Sequence, residues 1–218
     1  MLGEDLLQGR IVDLSYEVVP PGTEERPFQI KRGFLADQAF KHEVITHTHV
    51  GTHVEVPAHF FEGGKEVTDL PLERFFGRGV LLDVPDAAKA QQIGPLYLEE
   101  HLAPLLKGGD VVICRNSDPR TFKPNADLRD PALTAQGAEW LRHQHIKMLG
   151  IDTHFRLGND VAEGRAIHDV LLSADICLIE FLDNLAALQE KEFFFLALPF
   201  KARGVDSAWT RAIAIEAV

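Results

Sequence analysis

Cysteine is scarce in this chain, with 2 in 218 residues. Cys114 and Cys177 each sit inside an apolar run. They are too few for a disulfide framework and lack the spacing of a structural zinc site, so they read as buried free thiols of a reducing compartment. No apolar run is long enough to cross a bilayer. Met1 to Arg10 carries Glu4 and Asp5 and lacks the basic start and apolar centre of a secretory signal. A cytoplasmic location with no membrane partner is the expectation. An excess of positive charge is missing as well. Lys and Arg number 22 against 33 Asp and Glu, a formal net charge of -11. Neutralising a phosphate backbone takes clustered cations, so no nucleic-acid partner is expected.

What is present fits an ordinary globular chain, 45% hydrophobic and 25% charged, read as one domain over residues 1–218. Short apolar runs alternate with helical spacing. Strands are expected at Gly79–Val84, Asp110–Cys114, Ile146–Ile151 and Ile176–Phe181, and late strands at Phe193–Leu198 and Ala212–Ala217 in a hairpin-like end. Helices are expected at Tyr97–Leu106, from a Thr134 cap to about His143 with Ala138, Trp140 and Leu141 inward, and at Ala162–Leu172. This alternation implies an α/β fold with a mixed sheet.

The chemistry concentrates in His49-Val50-Gly51-Thr52-His53-Val54-Glu55-Val56-Pro57-Ala58-His59-Phe60. Its histidines and Glu55 share one parity, and its large apolar side chains share the other. One face is thus apolar and one able to bind a cation. Pro57 and the β-branched Val50, Thr52, Val54 and Val56 argue against a helix. A straight strand would hold His49 and His53 roughly 13 Å apart. The segment should therefore be extended, irregular and bent at Gly51. Glu180 lies in the apolar run Ile176 to Leu182, where a carboxylate needs a cation or a hydrogen-bond partner. His42, His47, His101, His143, His145 and His154 read as structural or exposed, Glu24-Glu25-Arg26 as a solvated loop, and Phe60-Phe61 as core or subunit contacts, with Phe60 or Phe61 as an aromatic wall beside the cluster the alternative.

The run from His49 to Phe60 resembles the signature of the cyclase family that includes bacterial kynurenine formamidases and isatin hydrolases. Ile11 to Ser15, Gly150 to Thr153, Ala166 to Leu172, Ile179 to Leu185 and Arg211 to Ile215 resemble further segments of that family, in order. The resemblance implies a mixed-sheet domain of the swivelling β/α type and a metal-dependent hydrolase of a small amide or cyclic amide, with tryptophan catabolism as one setting. It also implies one or two divalent ions, zinc or manganese, and a homodimer or homotetramer. Carried over by position, it makes His49, His53, Glu55, His168 and Glu180 the metal ligands and His59 the catalytic histidine. Glu55 stands where the family pattern has Asp. His154 to Asp160 and Arg115-Asn116-Ser117-Asp118 also depart from it. A non-catalytic metal- or ligand-binding relative and a metal-dependent lyase or cyclisation enzyme are the competing readings.

Overall fold

The structure, a computed structural model, describes residues 8–84, 91–117 and 130–217. Its strands up to the centre of the chain are β1 (Arg10–Asp13), β2 (Gln29–Phe34), β3 (Phe40–Ile45), β4 (His53–Glu55), β5 (Phe76–Val84), β6 (Gln92–Ile93) and β7 (Val111–Asn116). There follow β8 (Ala132–Leu133), β9 (Met148–Asp152), β10 (Arg156–Leu157), β11 (Cys177–Leu182), β12 (Glu192–Leu196), β13 (Ser207–Trp209) and β14 (Ile213–Glu216). The helices are α1 (Pro95–His101), α2 (Ala135–His143) and α3 (Val161–Leu172).

The four apolar runs become β5, β7, β9 and β11, which lie side by side and parallel. They form the middle of a nine-stranded mixed sheet in the order β1-β14-β12-β5-β7-β9-β11-β4-β13. Alternate residues of these strands feed two cores, as period-two side chains buried on both faces must. Val80, Leu82, Val112, Cys114, Leu149 and Leu178 pack beneath the three helices. Leu81, Ile113, Met148 and Ile179 pack on the opposite face with Val12, Val54, Phe195 and Ala208. Val12 and Ala208 belong to opposite edge strands, so the sheet curls until its edges share one core.

Thr134 caps α2 by accepting from the Gly137 N–H, and Ala138 and Leu141 are buried. Trp140 is only half-buried because its indole donates outward to Glu99 at 3.0 Å. The first helix stops at His101, short of the expected Leu106. Pro104 lacks an N–H and disfavours helical backbone at Ala103. The end of the chain departs from a simple hairpin. Strands β12 and β14 do pair, but β13 between them crosses to the far edge and pairs with β4. The β2–β3 hairpin, absent from the expected elements, forms a separate two-stranded sheet with nearly every residue exposed.

Candidate metal centre

The bend at Gly51 is real. Its φ is +68°, and a Cβ there would fall 2.4 Å from Val18 Cγ2, so glycine is required for both conformation and space. The bend brings the His49 and His53 rings to 4.9 Å between centroids. The chain then enters β4, which is held between β11 and β13. His53 faces Glu180 in register, and Glu55 faces Leu178 on one side and Ser207 on the other. Pro57 opens a 3-10 turn, Pro57–His59, that folds His59 back over the strand. Helix α3 supplies His168.

Glu55 is the hub. Its Oε1 lies 2.9 Å from His49 Nδ1, 3.3 Å from His53 Nε2 and 3.6 Å from His59 Nε2. Its Oε2 is 3.4 Å from His168 Nε2, which stands 4.0 Å from Glu180 Oε1. That Oε2 is buried and accepts no well-formed hydrogen bond. Two ring tautomers are pinned from behind. His53 Nδ1–H donates to the Gly51 carbonyl at 2.8 Å, and His168 Nδ1–H donates to the Gly164 carbonyl at 2.7 Å. In the neutral ring each then aims the Nε2 lone pair at a carboxylate. Lone pair facing lone pair, deep in the protein, asks for a shared proton or a cation. Backbone-anchored imidazoles are also how metal ligands are usually oriented. Donor atoms of His49, Glu55 and His59, and of His53, Glu55 and Glu180, lie within 4.8 Å of one another in each trio. Both trios fit a divalent cation of the nitrogen- and oxygen-loving kind.

The electrostatics carry the same tension. Burial works to raise Glu55, but the imidazoles of His168, His49 and His53 outweigh it and hold the carboxyl well below its usual range. Burial and then the charge of Glu55 push Glu180 up. Burial opposes charge on His49 and His168, yet their contacts with Glu55 raise both. One negative hub thus competes for protons with a ring of groups that a cation would satisfy together.

Residues 12–155, well over half of the chain, match the family described as Putative cyclase. The chain belongs to that family. A kynurenine formamidase of Erythrobacter litoralis (strain HTCC2594) is 27% identical over 216 residues, spanning 94% of each chain. Among solved structures, a potential metal-dependent hydrolase with cyclase activity is 25% identical, with a TM-score of 0.73 over 96% of this chain and 98% of the other. An isatin hydrolase bound to the product analogue thioisatinate shares the fold, with a TM-score of 0.78 over 100% of this chain and 97% of the other at 20% identity.

Within this cyclase-family frame, His49, His53, Glu55, His59, His168 and Glu180 all reach one locus. Phe60 stands beside it, its ring 4.7 Å from that of His168. Phe60 and Phe61 both pack, partly buried, against the helix-side core. A cavity of about 380 Å³, lined by residues that include Asp152, Phe155, His168, Glu180 and Phe181, opens onto the cluster. Asp118 lies outside the described residues. Arg26 is no solvated loop charge. It is half-buried, hydrogen-bonds the His49 carbonyl and lies 4.3 Å over the Phe181 ring. Asp206 and Ser207, to which the sequence motif does not point, also reach the cluster. Asp206 Oδ2 is 2.6 Å from His59 Nδ1 and 3.2 Å from His49 Nε2, and Ser207 Oγ is 3.0 Å from His49 Nε2. Their only sequence signal is an acidic residue shortly before the closing strand.

Proposed function

We propose that this chain is a metal-dependent hydrolase of a small amide or cyclic amide, an arylformamidase-like enzyme that cleaves a non-peptide C–N bond. One observation carries the reading. Four imidazoles, from the turn before β4, from β4, from the 3-10 turn and from α3, converge on one buried carboxylate, and two of them turn anchored Nε2 atoms toward it. Kynurenine formamidase and isatin hydrolase, named among the relatives, both open amide bonds, which supports the choice of reaction.

In this reading His49, His53 and Glu55 would hold a zinc or manganese ion, and Glu55, His168 and Glu180 would offer places for a second. The cation, when bound, acidifies water and polarises a carbonyl. His59 takes the proton of the attacking water on Nε2 and returns it to the leaving nitrogen, a role suited to imidazole near neutral pH. Phe60 and Phe181 supply apolar walls against which a small planar amide packs. A cytoplasmic homodimer or homotetramer completes the reading. The buried thiols support the compartment. Ile30, Phe34, Phe40 and Val44, exposed and sharing one face of the β2–β3 hairpin by register, support self-association.

Chelated protein is expected to lose hydrolysis of N-formylkynurenine, isatin or simple cyclic imides and to regain it with zinc or manganese. His59→Ala should lower kcat by roughly 100-fold or more with metal content unchanged. Elemental analysis beside a spectrophotometric amide assay checks both. Stoichiometric metal with no turnover across the panel, or full activity in His59→Ala, overturns the assignment.

A further inference from the structure

We infer that Asp206 is a positioning residue. It holds His59 with its ring proton on Nδ1 and turns Nε2 toward Glu55 and the reacting atoms. The inference rests on the hydrolase reading for its catalytic consequence and on geometry alone for the tautomer.

The contact is short and directional, 2.6 Å from Asp206 Oδ2 to His59 Nδ1. A carboxylate can only accept, so Nδ1 must donate, and in the neutral ring the lone pair falls on Nε2. That atom faces Glu55 Oε1 at 3.6 Å, beyond direct hydrogen bonding, and stays available to a substrate or water. The fold fixes the carboxylate from the main chain. Asp206 directly precedes β13, its carbonyl accepts from Val56 N–H at 3.1 Å, and Ser207 pairs in register with Glu55. The ring is flanked by His49, at 4.5 Å between centroids, and by Phe60 at 4.6 Å.

The same oxygen also lies 3.2 Å from His49 Nε2, so a role in holding His49 is the competing assignment. The partners of the two rings differ. His49 Nε2 keeps Ser207 Oγ at 3.0 Å if the carboxylate is lost. Among the described residues, Asp206 is the one group that hydrogen-bonds His59 Nδ1. Asp206 is also partly exposed, with 36% of its side-chain surface accessible, so its substitution does not open the core. A base whose far nitrogen is anchored by a carboxylate keeps both orientation and tautomer through the proton transfer, which is the physical service such a pair renders.

The test reads the tautomer directly. Long-range proton–nitrogen correlation spectra of imidazole-labelled full-length protein, metal-free and zinc-loaded, should show a pyrrole-type Nδ1 and a pyridine-type Nε2 for His59. That pattern should be lost or mixed in Asp206→Asn. The Asn variant should keep its zinc content and a KM within about 2-fold, with kcat about 100-fold lower. Asp206→Glu should recover part of kcat. A pyridine-type Nδ1 in the unsubstituted protein overturns the inference. Zinc loss in proportion to activity in Asp206→Asn also overturns it, because the carboxylate would then act through His49. The spectra decide the tautomer even if no amide on the panel is turned over, so failure of the hydrolase reading is distinguishable from failure of this one.

Discussion

Asp152 closes β9 next to the cavity and illustrates how one buried acid sets a pH response. Burial pushes its carboxyl up to about 7, against hydrogen bonds from the backbone N–H groups of Asn116 and His154, both at 2.8 Å. Its proton is held more tightly folded than unfolded. Stability from this group is therefore full below the unfolded pKa near 3.8 and is lost as pH rises toward 7. Within that window the slope is about 1.4 kcal/mol per pH unit. Asp152→Asn should abolish the slope, so that between pH 5 and 7 the unsubstituted protein loses roughly 2 kcal/mol relative to the variant. Urea unfolding at several pH values checks this, and parallel curves for the two proteins would refute it. The Asn side chain turns a donor toward one backbone N–H, a cost that does not vary with pH.

At the level of elements, the bend before β4 matters more to the site than any strand or helix. Gly51→Ala places a Cβ against Val18 at a positive φ and should cost about 1–3 kcal/mol. It should also splay His49 from His53 and weaken zinc binding. Calorimetric zinc titration beside a thermal melt tests both, and unchanged affinity would show that the turn does not set the ligand spacing. This turn is legible in the sequence because the residues that need it lie within five positions: two imidazoles too far apart on a straight strand, with a glycine between them. The central parallel strands were legible for a similar reason, as apolar runs buried on both faces. Asp206 was not. It owes its place to a three-residue edge strand too short to carry a period, paired with β4 from the other end of the chain. The β2–β3 hairpin carries no clear signal in the sequence because Lys31, Arg32, Lys41 and Glu43 interrupt its apolar residues.

For the molecule as a whole, the centre ties α3 and the 3-10 turn at His59 to the paired strands β4 and β11. A cation seated there binds the folded chain and not the unfolded one, so it adds stability by mass action. At 100 times its dissociation constant the gain is about 2.7 kcal/mol. Thermal melting with zinc against chelator should show the rise, and Glu55→Gln should remove most of it. An equal rise in that variant would place the metal elsewhere. The crossing of β13 to the far edge has its own outcome during synthesis. His49 and Asp206 are 157 positions apart. A nascent chain on the ribosome can fold its parallel strands and helices while His59 still lacks its carboxylate neighbour. The pocket is thus finished only after Asp206 has emerged, and a product truncated before Asp206 would display the histidine motif without the partner that orients its base.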